Sequence, residues 1–231
     1  MADARRQQRD DLEARRRLID EIEAEVRDTR SWTGRECLSP RVKAAMATVP
    51  RHDFVRAADV DVAYLHRPLA IGRGQTISQP YIVAIMTELL DLAAEDVVLE
   101  VGTGSGYQTA VLAEIAARVY SVEVVAEHAQ AARTRLAKLG YANVEIRIGD
   151  GHAGWPEAAP FDAIIGTAAA ERIPEALVRQ LKPGGRLVLP VGPPVGPQML
   201  HRGAKDAAGR FSTQPVLPVS FVPMVAGRAR S

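Results

Sequence analysis

The segment Leu99-Glu100-Val101-Gly102-Thr103-Gly104-Ser105-Gly106-Tyr107 follows directly on the apolar pair Val97-Val98. A buried strand runs into a turn with three glycines, and a helix pattern begins at once beyond it. Strand, glycine turn and helix in this order open a βαβ unit, which commits the chain to a parallel sheet. Glycine has no Cβ and tolerates positive φ, so backbone at such a turn can approach a ligand closely. Open α/β folds bind their ligands at this carboxyl edge of the sheet.

The rest of the chain fits that architecture. Strand patterns fall at 97–101, 118–124, 144–150, 162–168 and 186–192, and helix patterns at 107–117, 126–139 and 174–181. Gly140 and the pair Gly184-Gly185 stand where helix C-caps are expected. Pro190 to Pro197 reads as a loop, and 198–202 and 210–214 flank Asp206-Ala207-Ala208-Gly209 as an antiparallel hairpin. A last strand, Val216 to Val222, is interrupted by Pro218 and is expected at an edge or bent. The expected fold is α/β: a Rossmann-like, doubly wound, mostly parallel sheet with helices on both faces and a C-terminal antiparallel hairpin.

Upstream, Ser39-Pro40 starts a helix that stops before Pro50, and an irregular run extends to Gly74. Ser78-Gln79-Pro80 starts a strongly apolar helix through Leu90. The first 30 or so residues are charged, with Leu12, Leu18, Ile19, Ile22 and Val26 at partly helical intervals. They read as a solvated helix, giving an extension over 1–35 and one catalytic domain over 36–231.

The glycine spacing narrows the ligand. A dinucleotide fingerprint needs its third glycine at position 107, which is Tyr. Glu100, at the strand's end, would repel a pyrophosphate and attract an ammonium group. Glu123 ends the next strand, where a carboxylate can pair with ribose hydroxyls. Asp150, in Ile148-Gly149-Asp150-Gly151, ends the third. An amino-acid group, a ribose and a base met by successive strand ends are the parts of S-adenosylmethionine.

Composition excludes several classes. Lys plus Arg number 29 and Asp plus Glu 28, which leaves no electrostatic footprint for nucleic acid. A single cysteine, Cys37, allows no internal disulfide and suits a reducing compartment. No stretch approaches a membrane span, and the five histidines are scattered without metal-ligand spacing, so no metal is expected.

A second motif, Gly72-Arg73-Gly74-Gln75-Thr76-Ile77-Ser78-Gln79-Pro80, stands before the glycine loop. With Val49-Pro50-Arg51, Phe54, Gly149-Asp150-Gly151 and Phe221-Val222-Pro223, in this order, the chain resembles the protein-L-isoaspartate O-methyltransferase family over about residues 40 to 225. The resemblance implies transfer of the methyl of S-adenosylmethionine to the carboxylate of L-isoaspartyl residues in damaged peptides and proteins. It implies S-adenosylhomocysteine as product and repair through a succinimide. It matches Ser78 to the active-site serine. It matches Gln75, Thr76, Ile77, Glu100, Gly102, Thr103, Gly104, Gly106, Glu123, Val124, Asp150 and Gly151 to cofactor contacts. Ser78, Phe221, Val222 and Pro223 match the substrate cleft. Ser220, where bacterial relatives often carry a basic residue, Gly166, in place of a bulky apolar one, and Glu171, in place of proline, depart from the pattern.

A carboxylate is already ionised at neutral pH, so this reaction needs alignment rather than a strong base. Ser78 is therefore expected to position the substrate oxygen. Ser-Gln-Pro before an apolar helix is also an N-cap signature, and a cap role alone is the competing reading. Other functions remain open. They are a methyltransferase of the same fold acting on a dedicated peptide, a small molecule or RNA, a nicotinamide oxidoreductase, and a non-catalytic scaffold. The expected partners are isoaspartyl peptides and proteins, with no nucleic acid and no membrane, for a monomer in the cytoplasm.

Overall fold

The computed structural model describes residues 2–226. Helices α1 (Ala2–Asp28), α2 (Arg30–Thr33) and α3 (Pro40–Thr48) precede a small hairpin, β1 (Leu69–Gly72) with β2 (Gln75–Ile77), and helix α4 (Pro80–Leu89). There follow β3 (Val97–Val101), α5 (Tyr107–Ala113), β4 (Arg118–Glu123), α6 (Ala126–Lys138), β5 (Val144–Ile148) and β6 (Phe161–Gly166). Helix α7 (Glu175–Gln180), β7 (Leu181–Val191), β8 (Gln198–Lys205) and β9 (Phe211–Val219) complete the chain order.

The main sheet runs β5-β4-β3-β6-β7-β8-β9. Its first five strands are parallel and the last two antiparallel. The chain enters at β3, winds outward to β5, then returns to place β6 on the other side of β3. That return makes the gap between β3 and β6 the switch point, where adjacent loops diverge and leave a crevice. Strand periodicity divides the core. Val98, Val119, Ala163, Ile165 and Val188 face the layer that includes residues of α1, α3, α4, α5 and α6. Leu99, Val101, Ile164, Leu187 and Leu189 face Trp155 and Leu177, a thinner layer built on α7 and its neighbouring turns. Gly166 has a packing reason: a Cβ there would fall 2.1 Å from Leu189 Cδ1.

The structure corrects four expectations. The N-terminal segment is not a solvated helix but is docked. Leu18, Ile22 and Val26 are buried and join the same cluster as the sheet's upper face. Their i, i+4, i+8 spacing puts them on one narrow stripe, which charge content alone does not reveal. Glu23 anchors the contact by accepting from the Leu38 amide at 3.0 Å and Lys43 Nζ at 3.1 Å. Second, Val216 to Val222 is not a separate strand. β9 runs unbroken from Phe211 through Pro215 and Pro218, tolerable because it is the outer strand and its register shifts opposite His201. Third, Gly184-Gly185 does not cap α7. Leu181 already continues as strand, and the glycines sit in an irregularity of β7 between the residues paired with Phe161 and Ala163. Fourth, the run before Gly74 is not wholly irregular, since it holds two 3₁₀ turns at Arg51–Phe54 and Ala57–Val62 and then β1, which pairs with β2 just beyond Gly74.

Because Ile22 is 1% exposed, Ile22→Ala should lower unfolding stability by about 2–5 kcal/mol. Urea unfolding measures this, and a loss below about 0.5 kcal/mol would separate α1 from the cooperative unit.

Candidate active site

A cavity of about 890 Å³ opens at the switch point. The turn after β3 forms its floor, with Gly102, Thr103, Gly104 and Ser105. The ends of β4 and β5 contribute Glu123, Val124 and Gly151, and the turn after β6 contributes Thr167 and Ala168. Gln75, Thr76, Ile77 and Ser78 line another wall, and residues 217–225, Phe221, Val222 and Pro223 among them, line a third.

The glycine turn is held by specific bonds. The Gly102 amide donates to the Val122 carbonyl at 2.8 Å, and the Gly104 amide to Glu123 Oε2 at 2.8 Å. Glu123 Oε1 accepts from the Val125 amide at 2.9 Å. This carboxylate therefore braces the loop while lining the cavity. Gly102 has φ +98°, and a Cβ on it would meet Thr167 Oγ1 at 2.3 Å. Thr167 Oγ1 in turn donates to the Gly102 carbonyl at 2.5 Å, which ties the loops after β3 and β6 together. Gly151 is equally constrained, since its Cβ would lie 2.4 Å from Val101 Cγ1.

Three expected residues do not reach the cavity wall. Glu100 is fully buried beneath the loop. Its Oε2 accepts from Thr109 Oγ1 at 2.5 Å and Ser121 Oγ at 2.6 Å, while Oε1 has no partner. Burial pushes its carboxyl up to about 8, with the two hydroxyls opposing and the Glu123 carboxylate adding to the rise. Ser121 spends its proton on Glu100, so Thr103, 2.5 Å from Ser121, donates to it. The cavity thus meets Glu100 through Thr103 and Ser121. Gly106 lies beyond the turn, with φ +86° at the N-cap of α5. Asp150 points into its own turn, accepting from the His152 amide at 2.9 Å and lying 2.8 Å from His152 Nδ1.

Ser78 lines the cavity, and the cap reading of it is corrected. The N-cap of α4 is Gln79, and no side chain caps that helix. Ser78 is held by its backbone instead: its carbonyl accepts from Arg51 Nη2 at 2.8 Å. Arg51 is buried, donates through Nε to the Ala63 carbonyl at 2.9 Å and lies 4.9 Å from the Tyr107 ring centroid. Sequence reasoning missed Thr167, which the strand order places at the switch point. It also missed Glu25, Thr29 and Trp32 of the N-terminal helices, whose signal was a Trp in an otherwise charged segment.

Among the described lining residues the charged ones are Glu25 and Glu123, and none is Lys, Arg or His. Such a wall suits a cationic, phosphate-free nucleoside and opposes a pyrophosphate. It also offers no histidine or amine to abstract a proton, which fits a reaction whose nucleophile arrives ionised.

The comparisons with known proteins agree. The sequence profile of the family described as "Protein-L-isoaspartate(D-aspartate) O-methyltransferase (PCMT)" matches residues 30–229. The chain is 55% identical over 214 residues to protein-L-isoaspartate O-methyltransferase 2 of Syntrophobacter fumaroxidans, covering 93% of this chain and 87% of that one. It is 54% identical over 211 residues to protein-L-isoaspartate O-methyltransferase 2 of a Polaromonas species, covering 91% and 100%. A solved protein-L-isoaspartate O-methyltransferase superposes with TM-score 0.76 at 27% identity, over 90% of this chain and 65% of that chain's length. A Plasmodium falciparum structure, described as a putative protein-L-isoaspartate O-methyltransferase in complex with S-adenosyl-L-homocysteine, shares the fold at TM-score 0.71 and 24% identity, over 81% and 91%.

The Glu100 environment predicts a pH signature. Its folded value near 8 lies above the ordinary 4.5, so between these the folded protein holds a proton that the unfolded chain releases. This contribution to stability is complete at low pH and is lost as pH rises through about 8. In the ligand-free protein Glu100→Gln should remove that decline. Melting temperatures of both proteins across this range test it, and a constant difference between them would refute it.

Proposed function

The chain belongs to the protein-L-isoaspartate O-methyltransferase family, and from that premise we propose how its own residues carry the family's reaction. It transfers the methyl group of S-adenosylmethionine to the carboxylate of L-isoaspartyl residues in peptides and proteins. The ester starts repair through a succinimide. The reading of the site rests on one observation: Ser78, Glu123 and the glycine loop share a single cavity at the switch point.

The cofactor supplies an electrophilic methyl on a positively charged sulfur. Gly102, Thr103, Gly104, Glu123, Val124 and Gly151 would hold it, with Gln75, Thr76 and Ile77 closing the wall toward the substrate. Glu100 supports that set from below through Ser121 and Thr103. Glu123 braces the loop through two backbone amides and still has acceptor capacity for hydroxyl groups, since a carboxylate carries about four lone-pair sites.

The substrate enters with its carboxylate ionised. Its oxygen forms a bond to the methyl carbon while the carbon–sulfur bond breaks and that electron pair stays on sulfur. Two charges disappear in the step, so a poorly hydrated cavity favours it over water. No proton is taken from the nucleophile. Ser78 donates its hydroxyl to the carboxylate and fixes the line of attack, a contribution of proximity and orientation rather than base catalysis. Phe221, Val222 and Pro223 keep the opposite wall apolar. The backbone there is fixed, because the Ala169 amide donates to the Val222 carbonyl at 2.8 Å and the Met224 amide to the Ala169 carbonyl at 2.7 Å.

One chain supplies every described wall of the cavity, which supports a monomer as the working unit. A lone exposed cysteine, Cys37, and near-balanced charge support a cytoplasmic enzyme that does not act on nucleic acid. No helix among the described residues is long and apolar enough to cross a membrane.

Methyl transfer to matched isoaspartyl and aspartyl versions of one peptide tests the activity, and equal rates on both would refute it. Ser78→Ala should lower kcat by about one to three decades, as for a lost transition-state donor. Since Gln79 is the cap of α4, the same variant should change unfolding stability by less than about 0.5 kcal/mol. Full activity in the variant would remove the positioning role.

A further inference from the structure

The cavity extends beyond the residues that the reaction requires. Its outer wall is made by Glu25, Thr29 and Trp32, from the end of α1 and the short α2. They fall at i, i+4 and i+7, and helical bonds carry the spacing across the junction: the Thr29 amide donates to the Glu25 carbonyl at 3.0 Å, and the Trp32 amide to the Thr29 carbonyl at 3.0 Å. One helical stripe therefore faces the opening.

The stripe is fixed in place. Thr29 Oγ1 lies 2.6 Å from Tyr81 Oη on α4. Glu25 Oε2 lies 2.5 Å from His66 Nε2 and accepts from Gln79 Nε2 at 3.1 Å, next to Ser78 in sequence. Helix α2 packs against β9, and the described strand and tail from 217 to 225 form the facing side of the same cavity. The structure thus holds two walls of a cleft, and Ser78 lines the same cavity.

Trp32 is 59% exposed and lines the cavity, so its ring is open to whatever side chain enters there. Glu25, two turns earlier on the same stripe, keeps about a third of its side chain accessible. The described lining residues hold no Lys or Arg, and Ser220 puts a neutral hydroxyl on the facing wall. The neighbouring Arg30 and Arg35 do not line the cavity, and Arg35 is paired with Asp91 at 2.5 Å. His66 and Gln79 both meet Oε2 of Glu25, which leaves Oε1 for a ligand. An aromatic face with such a carboxylate on the same stripe and no lining Lys or Arg is the chemistry that takes up a lysine or arginine side chain. The ring covers its methylene stem and faces its charge, and the carboxylate completes the pairing.

We propose that Glu25 and Trp32 form a specificity subsite of the peptide cleft, which selects a cationic side chain flanking the isoaspartyl residue. The N-terminal helices, which the methyl-transfer step does not use, then have a role: they choose among damaged sites. The inference rests on the methyltransferase reading of the Ser78 cavity. That reading stands or falls on whether isoaspartyl peptides are methylated at all, whereas the subsite is tested by a ratio among peptides that are.

The full-length enzyme is assayed on isoaspartyl peptides that carry Lys, Ala or Glu at the position before the isoaspartyl residue, and in a second set after it. The expected result is a kcat/KM ratio of Lys to Glu of about tenfold at one of the two positions, the sum of one exposed cation–π contact and one surface charge pair. Most of the effect should appear in KM and should shrink at high salt. Trp32→Ala and Glu25→Gln should each reduce the ratio at that position at least twofold, and Trp32→Phe should retain more of it than Trp32→Ala. The ratio is internal to each protein, so a general loss of activity or stability in a variant does not imitate the effect. A wild-type ratio near one at both positions, or a ratio that both variants leave unchanged, would overturn the proposal.

Discussion

The bracing of the glycine turn by Glu123 and Thr167 is the constraint on which the site depends. A strand that ends in glycines is free to take many paths, and that freedom is costly to remove. Here the Gly104 amide is pinned to Glu123, and the Gly102 carbonyl to Thr167 Oγ1. The first bond comes from β4 and the second from beyond β6, the two strands that flank β3. The loop is thus fixed by both of its neighbours at the point where they diverge. At Gly102 the fit is closest, because a Cβ there would collide with the Thr167 hydroxyl. A rigid floor of this kind makes an in-line transfer feasible, since the reacting atoms must be aligned within a fraction of an ångström before reaction.

Electrostatics follow from the same floor. The cavity carries carboxylates at its inner and outer ends and no described basic side chain along its wall. That field favours a sulfonium over a phosphate, and it leaves the incoming carboxylate to be oriented by hydroxyl and backbone groups rather than by a cation. A strong ion pair would hold the nucleophile back, because its charge vanishes as the bond forms, and any stabilisation of the ground state that is lost in the transition state slows the step. A neutral hydroxyl at Ser78 orients the oxygen without incurring that cost. The substitution of a neutral residue at 220, at the edge of the same wall, is consistent with this arrangement.

The alternation after Val97 was legible in the sequence because strand and helix periods differ and glycines punctuate them. The strand starts agree with the structure within a residue for β3, β4, β5 and β6. The motif residues 75–78, the glycine turn and 221–223 do converge on one cavity. What was illegible has a common cause. Glu100 was read as facing the ligand because it ends a strand, but strand residues alternate faces and its own side chain points beneath the loop, where two hydroxyls take it up. The docking of α1 depends on three side chains 18, 22 and 26 finding a partner surface, and neither their spacing nor the surrounding charge states what that partner is. Ser78 looked like a cap because Pro80 marks a helix start, yet the chain turns one residue later than the Ser-x-Pro pattern suggests, leaving the hydroxyl free of α4.

An arginine buried beside the site holds the backbone that carries Ser78. The carbonyls of Ala63, Arg67 and Ser78 lie just outside the 3₁₀ turns and the short hairpin of residues 51 to 78, so those elements do not supply them with partners. Arg51 supplies them: its guanidinium donates to the carbonyls of Ala63, Arg67 and Ser78 from three separate turns. Burial lowers its pKa, while the Tyr107 ring that it faces, at the first turn of α5, acts in the opposite sense. No carboxylate approaches it in the described structure, and one could not do this work, since only a rigid fork of donors reaches three acceptors at once. Lysine in its place would offer a compact charge that cannot span them. Arg51 therefore couples the backbone that carries Ser78 to the helix that follows the glycine turn. Substrate-side and cofactor-side residues, remote in sequence, are set in register through one side chain.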